Sequence, residues 1–547
     1  MFQISTTKEI GSAKLKRIFI VGFSASALVG LVINLLNLHR MKGDGISYLD
    51  LADSYLRSDL GAIANSTWSP FFPLVLAITK AIFRPDQHSE FIMVQLVNWL
   101  IFVLTLAAFH WLFLIISRQT SDDVKLHTGY FISLCLFIYC SLGLISSTSV
   151  TPDMLLFGVF LLMTCFLLRY LDGGNGADAL MVGILCGVGF LIKAVLFVIA
   201  PMFLICLLAV SLTRPKLRAS FLPIVGFLVV SMPWVIFLSV SKGKFTFSDI
   251  GWINYCIDVG TCVSDDSGYF TRIDEAADLV IYNTKHNNAT FPPWFDLSER
   301  WSNARIVFSF EAQWASLLGN LRHGVGFLLT KFTVPFYISF ILLIFARFDE
   351  FRRILKRVWL LWFFAFTGSV YFLTHVEERY LAPFLFIFFV PMISTLLATA
   401  SQGKERWIQR LLVISAFPLL FVPLYSPIYG WRKMINESSA TYNSGVTATD
   451  IGLKTGDRVV VAGSGIDLYW SKLAGLRIIG EFRDPTAFWR LSDGEKDTAM
   501  CALKKLEVRA IVTTVAPTSH ESYWKEIYPD RAYVTPVICN EPSSGSD

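Results

Sequence analysis

Apolar runs divide the chain from one end to the other. Stretches at 18–36, 91–116, 130–145, 154–170, 179–192, 195–212, 221–240, 327–345, 358–373, 381–398 and 411–425 read as membrane-crossing helices, about eleven in all. The run at 70–83 is apolar but short, and Arg84-Pro85-Asp86 follows it, so it is expected to lie in the outer interface. Charge supports that choice. With 70–83 kept outside, alternation gathers the basic clusters on one face: Lys8, Lys14, Lys16 and Arg17; Arg118 and Lys125; Arg169; Arg214, Lys216 and Arg218; Arg347, Arg352, Arg353, Lys356 and Arg357; and Lys404, Arg406 and Arg410. The positive-inside rule makes that face cytoplasmic, with the N-terminus on it. The outer face keeps the long connections: a first loop at 38–90, a second at 241–322, and the tail at 426–547.

In the tail the pattern becomes that of a soluble domain. Arg458-Val459-Val460-Val461, Leu476-Arg477-Ile478-Ile479 and Arg509-Ala510-Ile511-Val512 read as strands, and 499–506 as a helix. The fold class expected is an all-α polytopic membrane domain over 1–425, with amphipathic helices in its first outer loop, followed by a small extracytoplasmic α/β domain. Val461-Ala462-Gly463-Ser464-Gly465 has part of a phosphate-binding glycine pattern, but it reads first as an ordinary turn.

Composition agrees with this division. Of 547 residues, 54% are hydrophobic and 16% charged, against about 25% charged in soluble domains. The mean hydropathy is +0.55. Lys and Arg total 47 against 42 acidic residues, a balance too even for a nucleic-acid binder. No cleavable signal peptide is expected, because 18–36 is long enough to span and no small-residue cleavage site follows it. Of nine cysteines, Cys135, Cys140, Cys165, Cys186 and Cys206 fall in apolar runs as small hydrophobes. Cys256, Cys262, Cys501 and Cys539 fall outside, where two disulfides can form, with Cys256–Cys262 and Cys501–Cys539 as the local pairings. The sequons at Asn65, Asn288 and Asn436 are placed on the outer side as well. No His/Cys spacing matches a zinc site.

Chemistry collects at the outer mouths of the spans. Gly43-Asp44-Gly45 sets a carboxylate where the first span leaves the membrane, and Tyr48, Ala52 and Tyr55 follow at helical spacing. Thr151-Pro152-Asp153 opens the fourth span, Lys193 ends the Gly-rich run 183–192, and Thr374-His375-Val376-Glu377-Glu378-Arg379-Tyr380 joins the ninth and tenth spans. Each has an ordinary structural use: Asp44 as a helix cap, Asp153 on a helix dipole, Lys193 snorkelling, Arg379 in a surface ion pair, His375 solvated. Asp50, Asp53 and Asp59 read as the wet face of the first-loop helix, and the loop aromatics (Trp252, Tyr255, Tyr269, Trp294, Trp301, Trp314) as an interfacial belt, with sugar stacking as the lesser use. Together, carboxylates and cations on one face suit sugar transfer from a lipid phosphate, where cations steady the leaving phosphate and a carboxylate takes the acceptor proton.

Four segments resemble GT-C-type glycosyltransferases, in particular the bacterial relatives of protein O-mannosyltransferases and aminoarabinose transferases that use polyprenyl-phosphate sugars. They are the Asp44…Tyr48…Ala52 helix with Trp68-Ser69-Pro70-Phe71-Phe72-Pro73-Leu74; Thr151-Pro152-Asp153 with Leu168-Arg169-Tyr170; the glycine-rich run ending in Lys193; and Glu378-Arg379-Tyr380-Leu381-Ala382-Pro383. The resemblance implies a multi-pass inner-membrane enzyme facing the periplasm, with Asp44 and Asp153 catalytic and Tyr48, Lys193, His375, Glu378, Arg379 and Tyr380 binding substrate. Its partners would be a polyprenyl-phosphate-linked sugar, an extracytoplasmic acceptor and membrane lipid, with no nucleic acid. One Asp replaces the Asp-Glu pair of some relatives, which leaves a divalent metal open, and Ala194 replaces the usual Gly after Lys193. Two other functions compete: a polymerase or ligase of lipid-linked oligosaccharides, and a transporter, although no internal repeat is visible.

Overall fold

The computed structural model describes residues 13–41, 43–118, 122–213, 221–263, 268–329, 333–399, 406–463, 465, 469–484, 486–513, 525–528 and 532–539. Lys8, Arg214, Lys216, Arg218, Lys404 and Ser464 lie outside these residues.

Among the described residues, six helices are long and apolar enough to cross a membrane: Lys16–Leu35, Glu90–Ser117, Asp123–Ile145, Asp153–Gly173, Leu196–Thr213 and Leu222–Lys242. Shorter apolar helices stand at Phe71–Phe83, Gly176–Ile192, Val334–Phe345, Trp359–Leu373 and Gln409–Leu424. Ile20, Leu104, Ile205 and Val229 are all more than half exposed on these helices, an outward apolar face that lipid covers at no cost. Inward, Phe102, Phe109, Phe137, Phe157 and Phe386 form one continuous aromatic cluster.

Glycines of the fifth and seventh apolar runs serve close packing. A Cβ on Gly183 would lie 1.9 Å from the Pro223 carbonyl oxygen, and one on Gly226 would lie 2.7 Å from that of Leu180. Helices Gly176–Ile192 and Leu222–Lys242 therefore touch backbone to backbone, as small residues allow in membranes.

Several edges differ from the sequence expectation. The expected span 327–345 is two helices, Phe310–Leu328 and Val334–Ala346. The run 358–373 is the end of helix Phe348–Thr367 plus a 3-10 turn, Gly368–Leu373. Helix Phe421–Asp450 continues unbroken past residue 426, and the first tail strand starts only at Arg458.

The tail strands and helix occur at Arg458–Ala462, Arg477–Phe482, Val508–Thr513 and Asp493–Lys505. Strand 458–462 is central and parallel to its two neighbours. Hairpins then extend the sheet at both sides. One, Lys525–Tyr528 with Ala532–Pro536, comes from the tail. The other, Phe270–Asp274 with Leu279–Tyr282, comes from the connection 241–322 and pairs with strand 477–482. The seven-stranded sheet is thus built from two distant parts of the chain. Disulfides join Cys256 to Cys262 and Cys501 to Cys539.

Asn65 of the first sequon is buried, and its amide donates to the Phe295 carbonyl at 2.7 Å while its oxygen accepts from Thr67 and Trp68. It anchors segment 38–90 to segment 241–322. Asp50, expected on a wet face, is only 3% exposed. It accepts from the Thr290 backbone and hydroxyl at 2.7 and 3.0 Å, and the side chain of Asp53 is also mostly covered. Asp59 caps the short helix Leu60–Ile63. The first-loop helix is wrapped by other segments, so Asp50, Asp53 and Asp59 are structural groups rather than solvated ones.

Candidate active site

Four local structures deliver the charged groups. Asp44 lies in the first turn of helix Gly43–Leu56, whose Gly45 is pressed against Met41 and Val150. Val150 sits just beyond the third span, which ends in a π-helical turn, Tyr139–Ile145, and a left-handed Ser146. That irregular end turns the chain so that Asp153 starts the next helix, with its carboxylate on the positive helix terminus. Lys193 occupies an extended break between helices Gly176–Ile192 and Leu196–Thr213. Arg379 is in the first turn of helix Glu378–Thr399.

These groups meet. The Arg379 guanidinium faces Asp44 at 3.4 Å through Nη2 and Asp153 at 3.5 Å through Nη1. Lys193 Nζ donates to the other Asp153 oxygen at 2.5 Å. Glu377 takes Arg379 Nε at 2.7 Å and Nη2 at 2.9 Å. Asp153 is 3% exposed and Arg379 12%, whereas Asp44 retains 21% at the rim. The interior carboxylate is thus doubly paired, as burial of a charge requires, while Asp44 keeps a side open to incoming groups.

Aromatic groups frame the cluster. The Trp294 indole donates to Asp44 Oδ1 at 3.2 Å. Its own carbonyl accepts from Ser47 and from the Trp68 indole, so the Asp44 helix and the Trp68-Ser69-Pro70 segment both hold Trp294 in place. Lys193 Nζ lies 3.5 Å from the Tyr380 ring centroid, a close cation–π contact, and Tyr380 stacks on Tyr371. The Tyr380 hydroxyl donates to Glu377 at 3.1 Å. Tyr48 is buried edge-on between Trp68 and Phe72, where it supports the helix. His375 bridges Asp258 at 3.3 Å and Glu377 at 3.2 Å. Hydrogen bonds to those two carboxylates raise the His375 pKa to about 9. Burial works against charge on Glu377, yet its bonds to His375 and Arg379 hold it well below the usual carboxylate range.

The structure thus gathers Asp44, Asp153, Lys193, Arg379, Tyr380 and, one step out, His375. Glu378 is exposed on the first helical turn, and its neighbour Glu377 contacts Arg379 instead. Either of two adjacent acids at a helix start fits the sequence, and only the direction of the incoming loop selects one. Sequence pattern groups Trp294 with the interfacial aromatics; it stands 250 residues from Asp44, and Pro292-Pro293 before it is the one local sign of a fixed turn. Asp258, between the cysteines of the first disulfide, carries no sequence signal. Among the described residues no group of three or more His, Cys, Asp or Glu side chains is arranged to hold a metal ion. The acids here are interleaved with the cations Lys193 and Arg379.

Comparison with known proteins bears on this arrangement. Residues 68–237 match the family model described as dolichyl-phosphate-mannose-protein mannosyltransferase. That segment includes Asp153 and Lys193 but neither Asp44 nor Arg379. No curated protein matches the chain significantly. Two solved structures of ArnT from Cupriavidus metallidurans, one bound to undecaprenyl phosphate and one in the apo state, align over 97% of this chain and 100% of theirs. Their TM-score is 0.56 in each case, at 13% and 12% identity. The chain therefore has the GT-C-type membrane fold with an appended sheet domain, as its motifs led us to expect, and it resembles GT-C-type glycosyltransferases in sequence segment and in fold.

Proposed function

We propose that the protein is an inverting glycosyltransferase that moves a sugar from a polyprenyl-phosphate donor to an extracytoplasmic acceptor at the outer face of the membrane. Asp44 is the general base. It takes the proton of the acceptor hydroxyl, whose oxygen attacks the anomeric carbon as the bond to the phosphate oxygen breaks. Polyprenyl phosphate leaves with the electron pair of that bond, and its charge is met by Lys193 and Arg379. No second carboxylate is needed as nucleophile in a single displacement. Asp153 holds both cations in register from beneath and is itself covered, so its part is to orient them.

One observation carries the reading: a single guanidinium touches both the rim carboxylate Asp44 and the buried carboxylate that holds Lys193. Base and phosphate-binding cations are thereby set within one side chain's reach, as a displacement reaction requires. The undecaprenyl phosphate in one of the two ArnT structures supports the choice of donor class.

Mass spectrometry of co-purified lipids, followed by transfer assays with the lipid found, tests the proposal. A monosaccharide-phosphate polyprenol bound and consumed supports it. A lipid-linked oligosaccharide as donor would assign a polymerase or ligase, and a nucleotide sugar would refute the donor class. Asp44→Asn is expected to fold normally and to transfer nothing; full activity in that variant would remove Asp44 from the role of base.

A further inference from the structure

The helix that carries Asp44 is gripped at its far end by a second ion cluster that the reaction above does not use. Lys472, on the short helix Trp470–Leu473 of the sheet domain, reaches into the first outer loop. Its Nζ donates to Asp50 at 2.8 Å and to Asp53 at 2.7 Å. Asp53 is also bound by Lys80 of the interfacial helix, and Lys80 in turn binds Glu90 at the start of the next span. Lys472 is 10% exposed, Asp50 4% and Glu90 5%.

A second route joins the same partners. The amide of Ile478, in the sheet, donates to the Thr290 carbonyl at 2.9 Å, and the Thr290 amide donates to Asp50. Four residues further on, Trp294 donates to Asp44. The sheet domain therefore touches the Asp44 helix through Lys472 and touches Asp44 itself through the 290–294 segment.

We infer that Lys472 is a positioning residue: through Asp50 and Asp53 it clamps the first-loop helix, so that the extracytoplasmic sheet domain sets where Asp44 stands. Helix Gly43–Leu56 is packed near its start, with Gly45 on Met41 and Val150 and Tyr48 between Trp68 and Phe72, and Lys472 adds the ionic hold at its far end. The helix follows the first span and turns Asp50 and Asp53 toward Lys472 of the sheet domain, while Asp44 at its start faces Arg379. Two carboxylates one helical turn apart on a single ammonium resist rotation of the helix about its axis, which one pair alone does not. Rotation is the motion that would swing Asp44 away from Arg379.

The catalytic consequence rests on the function proposed above, whereas the clamp itself is measured without it. Lys472→Met alone strands the buried Asp50 carboxylate and is expected to damage folding. The informative variant is Lys472→Met with Asp50→Asn: the carboxamide introduced by the second change still accepts from Thr290, and Asp53 keeps Lys80. With the wild-type and double-variant proteins in the same lipid nanodiscs, two quantities are compared: amide hydrogen exchange over residues 43–56, and kcat and KM for the polyprenyl-phosphate sugar. The double variant is expected to exchange faster over 43–56 by roughly tenfold or more. Its kcat should fall by about 10²-fold, the effect of an ångström-scale misplacement, at unchanged donor KM and near-unchanged melting temperature. Lys472→Arg, which bridges both acids, should restore kcat. Unchanged exchange over 43–56 overturns the inference, as does wild-type kcat in the double variant. If the wild-type protein transfers no sugar, the functional proposal falls, and the exchange measurement alone decides the clamp.

Discussion

Replacing Arg379 by lysine keeps the positive charge and removes the geometry. Arginine here serves three carboxylates from three parts of the chain, with Nε and Nη2 on Glu377, Nη2 on Asp44 and Nη1 on Asp153. Lysine has one nitrogen on a flexible stem and cannot satisfy three directions at once. At least two of these contacts are lost, each a charge-assisted bond of about 1.5–3 kcal/mol. The side chain is only 12% exposed, so screening removes little of that. Part of the loss falls on folding, and Lys193 still neutralises Asp153, which keeps the core of the cluster paired. The catalytic part resembles removal of one preorganised donor to a developing anion, ~2.7–4 kcal/mol or ~10²–10³ in kcat. Single-turnover transfer from a radiolabelled polyprenyl-phosphate sugar, alongside thermal unfolding in the same detergent, separates the two. A folded Arg379→Lys protein with kcat within about threefold of wild type would refute the argument that the fork geometry matters.

Other tests reach different levels of the structure. Gly183→Ala places a Cβ against a backbone carbonyl that cannot rotate away, so a loss of about 1–3 kcal/mol or more is expected on thermal unfolding. Gly251→Ala, with open space around it, should leave stability unchanged and serves as the control. His375 has a raised pKa, so its link to Asp258 and Glu377 contributes fully below pH 6.5 and is lost as pH rises through about 9. Melting temperature should therefore decline across that window in wild type and do so less in His375→Gln; parallel curves would show that the imidazolium bridge does not form. Asp53 has the opposite sign. Burial works against its charge, but Lys472 and Lys80 lower its pKa to about 2, so its contribution is present above pH 3.8 and lost as pH falls through 2. Asp53→Asn should be less stable than wild type at pH 7, with the difference shrinking in acid; a constant difference would show that the ion pairs contribute nothing.

Much of this molecule is written locally. Apolar runs mark where backbone must satisfy itself inside lipid, so helices at 91–116 and 154–170 follow from hydropathy with little error. The three parallel strands of the tail are β-branched runs bounded by turns, and they too are read from short windows. The side of the membrane on which a residue is expected follows from counting basic clusters, which is why Asp44, Asp153, Lys193 and Arg379 can be grouped without knowledge of any contact.

What sequence could not decide is everything that depends on direction and on distant partners. Whether Glu377 or Glu378 faces Arg379 depends on how one loop enters a helix, a matter of tens of degrees that composition does not encode. Asp50 and Asp53 have the spacing of a solvated helical face, and only partners from elsewhere in the chain, Lys80, Thr290 and a lysine more than four hundred residues later, make that face an interior. The hairpin 270–282 completes a sheet whose other strands begin at residue 458, and Trp294 reaches Asp44 across a similar gap. Local pattern records where each segment prefers to be relative to water and lipid. Pairing of buried charges and unfilled sheet edges is settled only when the whole chain closes, because each such group is satisfied by whichever partner the fold brings to it.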